Sequence, residues 1–78
     1  MRTPITLPEL GAPHVVLSVW YVKPGETVAR GEKLVEVLAG AATFDVVSPA
    51  PGRLAEQRAH PRERLHAGQV LGELESEG

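Results

Sequence analysis

The chain has 78 residues, no cysteine and a formal net charge of −2 from 8 basic and 10 acidic residues. This length predicts one domain over residues 1–78, with a core from about residue 3 to residue 75, and the missing cysteines exclude a disulfide framework and a thiolate zinc site. The charges are interspersed and no apolar run approaches the roughly 20 residues of a membrane helix, so we expect a cytoplasmic protein with neither nucleic-acid nor membrane partners.

Proline and glycine interrupt the chain so often that strands are predicted rather than helices. The longest stretch without either residue is His14–Lys23, and proline costs about 3 kcal/mol inside a helix. Short runs remain between the interruptions, several of them rich in β-branched side chains. In chain order the runs are Thr3–Leu7, Val15–Val22, Lys33–Leu38, Thr43–Val47, Gly52–Ala59 and Gln69–Leu74. Regular short strands joined by turns predict a β-sandwich or barrel.

Alternation of apolar and polar residues indicates which side chains face the core. In the run Lys33–Leu38, Val35 and Val37 share one face. The other face then carries Leu34, Glu36 and Leu38. In the run Val15–Val22 only Ser18 is polar, so that strand is predicted to be buried on much of both faces or to contain a bulge.

The sequence matches itself after a shift of 37 residues. The matched pairs are Thr6/Thr43, Leu17/Leu54, Pro24/Pro61, Glu26/Glu63, Val28/Leu65, Gly31/Gly68, Leu34/Leu71, Glu36/Glu73 and Val37/Leu74. Two half-domains that cannot bury their apolar faces alone pack against each other. We therefore predict a flattened barrel with an approximate two-fold axis, with Gly31 and Gly68 at equivalent corners and at positive φ.

Five segments taken in order resemble one family. They are Ile5–Gly11, Trp20–Val28, Gly31–Val37, Ser48–Leu54 and Ala67–Leu71. In residue types and spacing they are similar to the biotinyl/lipoyl-attachment domains, and most of all to the lipoyl domains of acyltransferase components of 2-oxo acid dehydrogenases. The resemblance implies an all-β fold, a flattened barrel or sandwich of two four-stranded antiparallel sheets with quasi-two-fold symmetry.

The family carries lipoate or biotin on a lysine at the tip of a hairpin. The resemblance places that tip at Gly40, Ala41 and Ala42, with Ala41 at the position of the lysine. Alanine has no amine, so we predict no cofactor and no cofactor-binding residue here. Leu38 and Gly40 also stand where the family has acidic residues, which favours evolutionary loss over an engineered change of lysine to alanine.

The other side chains that could act in catalysis or metal binding match no known catalytic or metal-binding motif. The three histidines, His14, His60 and His66, lack a ligand cluster of familiar spacing. Ser18 and Ser48 lack a nucleophile elbow. The arginines from Arg53 to Arg64 are expected to be balanced by Glu56 and Glu63, with an anionic partner surface as the alternative. We predict no catalytic residue, no metal site and no enzymatic activity.

These observations favour a non-carrier binding or structural module related to 2-oxo acid dehydrogenase or biotin-dependent complexes, with components of such complexes as protein partners. The alternative is an acyl or carboxyl carrier that is modified at Lys23 or Lys33, or that lost its lysine by engineering. The small apolar tip, residues 38–42, is either a tight turn without a role or a patch that docks into a partner or a second copy.

Overall fold

The computed structural model describes residues 1–76, which form eight β-strands and no helix. The strands are β1 (Arg2–Thr6), β2 (Val15–Trp20), β3 (Thr27–Val28), β4 (Lys33–Ala39), β5 (Ala42–Val47), β6 (Gly52–Gln57), β7 (Arg64–Leu65) and β8 (Val70–Glu75). They pair antiparallel in two four-stranded sheets, with orders β1-β8-β6-β3 and β5-β4-β2-β7. The predicted fold class is confirmed, and each of the six predicted runs overlaps one of the six longer strands.

Backbone hydrogen bonds repeat between the two halves of the chain. The N–H of Tyr21 donates to the carbonyl of Leu34 at 2.8 Å, and 37 residues later Arg58 donates to Leu71 at 2.8 Å. Strands β2 and β6 also begin 37 residues apart, at Val15 and Gly52. The quasi-two-fold symmetry predicted from the repeat is therefore confirmed.

One predicted match of the repeat is wrong. Leu7 N–H donates to the Gln69 carbonyl at 3.0 Å, and Ser48 N–H donates to the Glu32 carbonyl at 2.8 Å. The two acceptors are 37 residues apart, whereas Leu7 and Ser48 are 41 apart. Strands β1 and β5 are therefore related by a 41-residue shift, so the residue equivalent to Thr43 is Arg2 rather than Thr6.

Four tight turns with a positive φ at their third residue join the strands. Gly31 and Gly68 have φ values of 83° and 82°, as predicted. The other equivalent pair is Gly25 at 96° and Arg62 at 73°, each following a proline. In each turn the N–H of the fourth residue donates to the carbonyl of the first, and this bond with a positive φ is typical of a type II turn. Arg62 thus has the left-handed backbone conformation that the equivalent residue, Gly25, adopts in the first half of the chain.

The core consists of matched apolar pairs from the two halves. Leu17 and Leu54 are both 1% exposed, and Leu34 and Leu71 are both fully buried. The burial of Leu34 overturns the predicted alternation, because the register shifts between Lys33 and Val35 and turns Leu34 inward. A second shift, between Leu17 and Val19, is the bulge considered for β2.

Trp20 packs between the two sheets of the barrel. The ring of Trp20 lies on Gly72, where a built Cβ would come within 3.0 Å of the ring and 2.7 Å of the Glu56 carbonyl. Its indole N–H donates to the Ala59 carbonyl at 2.9 Å. Glycine at position 72 therefore makes room for the indole between β2 and β8.

Candidate functional site

The hairpin between β4 and β5 ends in a two-residue turn, Gly40-Ala41. Ala39 and Ala42 pair across it, and Gly40 has a φ of 65°, which suits the first position of a two-residue hairpin turn. Gly40 N–H donates to the His14 carbonyl at 3.2 Å, which ties the turn to the segment before β2. Gly40, Ala41 and Ala42 are all exposed. The predicted tip residues therefore lie together at an accessible turn without an ionisable side chain.

Both lysines of the chain lie away from this turn. Lys33 is the first residue of β4, at the opposite end of the strand from Gly40, and its ammonium group lies 3.4 Å from the Asp45 carboxylate. Lys23 is the first residue of the turn that contains Pro24 and Gly25. The hairpin tip therefore presents only backbone and methyl groups.

Several apolar side chains are exposed on the outer face of the sheet that contains this hairpin, where Lys33, Glu36 and Asp45 also lie. Val19 and Leu38 are each 42% exposed, and Val47 is 46% exposed. Val16 pairs with Leu38 across β2 and β4 and points to the same side. We call this surface the apolar face: Val16, Val19, Leu38 and Val47. On this surface the Glu36–Asp45 pair lies between Leu38 and Val47.

The equivalent face of the other sheet is charged. The quasi-two-fold relates Val19 to Glu56 and Leu38 to Glu75. Arg2 forms ion pairs with both of these glutamates, at 3.9 Å and 3.1 Å, and Arg58 pairs with Glu56 at 2.9 Å. Because the same fold positions accept charged side chains in one sheet, the barrel does not require apolar residues there. The apolar face is thus a property of this one surface.

Three polar side chains lie beside the apolar face. The Tyr21 hydroxyl lies 3.1 Å from a Glu36 carboxylate oxygen and 3.0 Å from an Asp45 carboxylate oxygen. Partial desolvation of the ring, with these hydrogen bonds to Asp45 and Glu36, raises the pKa of Tyr21 to about 12. A phenol that keeps its proton this firmly is a poor general base at neutral pH, so the cluster orders the side chains of β4 and β5.

A sequence comparison shows to which protein family the chain belongs. The model of a family described as "Biotin-requiring enzyme", which covers biotin and lipoyl domains, matches residues 3–74. The chain belongs to the biotinyl/lipoyl-attachment domain family. The resemblance found in the five sequence segments is thereby confirmed.

Curated relatives of this biotinyl/lipoyl domain are acyltransferase components. A dihydrolipoyllysine-residue succinyltransferase component of a 2-oxoglutarate dehydrogenase complex, from Bartonella vinsonii subsp. berkhoffii, is 35% identical over 78 residues, covering 97% of this chain and 19% of the relative. A lipoamide acyltransferase component of a branched-chain alpha-keto acid dehydrogenase complex, from Pseudomonas putida, is 30% identical over 76 residues, covering 95% and 18%. The chain thus spans about a fifth of the length of these relatives.

A solved structure shows the same fold. The solution structure of the lipoyl domain of the 2-oxoglutarate dehydrogenase complex from Azotobacter vinelandii superposes with a TM-score of 0.75 at 27% identity. The match covers 95% of this chain and 99% of that one. Two independent comparisons therefore relate this domain to lipoyl domains of 2-oxo acid dehydrogenase acyltransferases.

The rest of the described biotinyl/lipoyl domain contains no better candidate for a functional site. An open depression of about 430 Å³ is lined by Thr27, Pro51, Gly52, Arg53 and Glu75. It lies on the charged sheet, near the end of the described chain. Within residues 1–76 no three histidine or acidic side chains come close enough to hold a metal ion, and no helix is long and apolar enough to cross a membrane.

The apolar face and the cluster of Tyr21, Glu36 and Asp45 were not predicted from the sequence. Glu36, which the alternation placed on the face opposite Val35 and Val37, lies within hydrogen-bonding distance of the Tyr21 hydroxyl. The balance expected for the arginines is found for Arg58, which pairs with Glu56. Glu63 instead accepts hydrogen bonds from the His60 N–H and from the Gln69 side chain. The bulge in β2, which turns Val19 outward, was the one available signal for the apolar face.

Proposed function

We propose that this chain is a lipoyl-domain-like module that carries neither lipoate nor biotin and acts by binding protein. It would serve a 2-oxo acid dehydrogenase or a biotin-dependent complex without catalysing a reaction itself. We also propose a cytoplasmic location, which is the default where no cysteine informs on the redox compartment. The main support for the proposal is that the side chains of the β4–β5 turn contain no amine.

Attachment of lipoate or biotin forms an amide with a primary amine. The turn consists of Gly40 and Ala41 and is followed by Ala42, so no side chain there can be the nucleophile. The attached groups of the family therefore do not fit the turn of this chain. We derive no carrier step through them.

The two lysines are poor substitutes for a tip lysine. The Lys33 ammonium group is held near Asp45 in the sheet, and a ligase that recognises an exposed hairpin tip would meet a strand there instead. Lys23 precedes Pro24 in a turn between β2 and β3. A swinging arm requires a lysine at the tip of an exposed hairpin, and neither Lys23 nor Lys33 lies at such a tip.

The features that remain are those of a binding surface. The turn is exposed and small, and the apolar face continues from it through Leu38, the last exposed apolar side chain of β4. A partner that covers this surface would gain about 25 cal/mol for each square ångström of apolar area removed from water. Components of the complexes named for the relatives are the partner class that we propose.

Ligase reactions followed by intact-mass measurement test this proposal. The wild-type chain and the Ala41→Lys variant are each incubated with lipoate ligase, ATP and lipoate, and separately with biotin ligase, ATP and biotin. We expect the wild-type mass to stay unchanged and Ala41→Lys to gain one lipoyl or biotinyl group. A matched Ala29→Lys variant places a lysine in another exposed turn and is expected to stay unmodified.

A gain of mass by the wild-type chain would overturn the proposal and establish the carrier alternative, with Lys23 and Lys33 as the positions to map. Modification of Ala29→Lys to the same extent as Ala41→Lys would show that the ligases do not select the turn, which would remove the support drawn from its geometry.

A further inference from the structure

The two sheets have four edge strands, and three of them are protected against pairing with another chain. β3 and β7 contain two residues each, and very short edge strands are a common protection. β1 contains Pro4 at its centre. Met1 and Leu7 form hydrogen bonds toward β8, so alternation points the backbone nitrogen of Pro4 outward, where proline has no N–H to offer.

The fourth edge, β5, lacks these protections. It is six residues long, contains no proline and has the sequence Ala-Thr-Phe-Asp-Val-Val. Its one charge, Asp45, is compensated within the chain by Lys33 at 3.4 Å and by the Tyr21 hydroxyl at 3.0 Å. A long edge strand with little net charge is a template for strand addition.

The free hydrogen-bonding groups of β5 can be assigned from its register. Ser48 donates its N–H to the Glu32 carbonyl, and its own carbonyl accepts from the Gly31 N–H, so the backbone of Ser48 faces β4. Backbone groups alternate in direction along a strand. The N–H and C=O groups that point away from β4 are therefore those of Thr43, Asp45 and Val47.

We propose that β5 pairs antiparallel with β5 of a second copy of this chain, which joins two barrels through one continuous eight-stranded sheet. The strand is self-complementary about Phe44. With the two-fold axis at Phe44, Thr43 of each copy lies opposite Asp45 of the other, in pairs that exchange backbone hydrogen bonds. The Thr43 hydroxyl can then donate to the carboxylate of Asp45 across the interface.

The same register places two aromatic rings together. Phe44 is 42% exposed at the edge of the sheet, and it would lie opposite Phe44 of the second copy, a favourable cross-strand pair. A shift of one residue along each strand would instead bring the two Asp45 carboxylates face to face, which is unfavourable. In the proposed register Val47 of one copy lies beside Ala41 of the other, so the hairpin turn becomes part of the interface.

The dimer is argued from the strand β5 and not from the proposed function, and a single strand pair buries little area. Interfaces below about 1,200 Å² in total are weak, so we expect a concentration-dependent monomer–dimer equilibrium. Sedimentation equilibrium between about 10 µM and about 1 mM should show the average mass rise from 8.3 kDa toward twice that value. A chain that stays monomeric over this range would overturn the dimer.

Paired charge variants test the register. Thr43→Asp places a carboxylate opposite each Asp45 and is expected to weaken the dimer at least tenfold, whereas Thr43→Lys places an ammonium group there and is expected to tighten it. Thr43 is exposed, so both variants should keep the wild-type circular dichroism and Trp20 fluorescence. Equal effects of the two substitutions would overturn the Thr43–Asp45 pairing.

Val19→Lys is the matched control for the location of the contact. Val19 lies on the apolar face but on β2, two strands away from the β5 edge. We expect the dimer to survive this substitution, with hydrogen exchange at the amides of Thr43, Asp45 and Val47 slowing as concentration rises. Loss of the dimer in Val19→Lys, without such protection at β5, would mean that two apolar faces stack instead and would overturn strand pairing.

Discussion

Replacement of Arg62 by glycine is expected to stabilise the domain, because the backbone there already has a glycine-like conformation. Arg62 has a φ of 73°, while its symmetry counterpart Gly25 has a φ of 96°. A left-handed conformation costs a residue with a Cβ about 1–2 kcal/mol. The Arg62 side chain is exposed, and the hydrogen bond from its N–H to the Leu17 carbonyl, at 2.8 Å, is available to glycine as well.

The larger conformational entropy of glycine in the unfolded state offsets part of this gain in stability. Glycine has more unfolded conformations to lose than arginine, at a cost of about 0.4–1 kcal/mol. The difference between the two ranges is about 0–1.6 kcal/mol, so the expected net increase in the free energy of unfolding is centred near about 0.8 kcal/mol. For a domain of this size 1 kcal/mol moves Tm by about 4–8 °C, so Arg62→Gly should raise Tm by about 2–8 °C.

Thermal and urea unfolding followed by circular dichroism and Trp20 fluorescence provide the assay. Arg62→Ala removes the charge and keeps the Cβ, so it should leave stability near wild type. Gly25→Ala introduces a Cβ at the equivalent turn and should lower the free energy of unfolding by about 1 kcal/mol or more. Equal Tm values for Arg62→Gly and Arg62→Ala would refute the explanation from backbone strain.

Three further predictions follow from the packing and the polar cluster. Gly72→Ala should destabilise the domain by about 1–3 kcal/mol, measured by urea unfolding, because its Cβ would meet the Glu56 carbonyl at 2.7 Å; a wild-type midpoint would contradict this. Leu34→Ala should cost about 2–5 kcal/mol, comparable to the roughly 3–5 kcal/mol that a core this small supplies, so circular dichroism should show a largely unfolded chain; a cooperative transition near the wild-type midpoint would count against it. Tyrosinate absorbance should titrate with a midpoint near 12, because the folded state keeps the proton of Tyr21. The stability that this proton contributes is present below pH 10 and is lost as pH rises from 10 to about 12; Tyr21→Phe should remove that loss, and a midpoint near 10 would contradict the cluster.

Much of the fold was predictable because its signals are local or repeated. Proline and glycine limit the strands, and the 37-residue repeat requires two similar halves. The two-residue strands β3 and β7 were missed as separate elements, because two residues carry no periodicity. The 41-residue relation of β1 to β5 was also missed. It arises because the loop from Leu7 to His14, before β2, is longer than the turn from Ser48 to Pro51, before β6.

The sequence predicted the hairpin turn but not the side chains around it. The resemblance to the family placed Gly40 and Ala41 at a hairpin tip, and these two residues form the β4–β5 turn. The apolar face was hidden because the bulge between Leu17 and Val19 changes the alternation along β2. The left-handed Arg62 could not be read from its residue type, and only its equivalence to Gly25 reveals it.

The most direct measurement for the central proposal is the intact mass of the wild-type chain after expression in cells that supply both lipoate and biotin together with their ligases. We predict the mass of the unmodified polypeptide, because the β4–β5 turn offers no amine. A chain that is heavier by one lipoyl or one biotinyl group would contradict the proposal and show that the domain is a carrier.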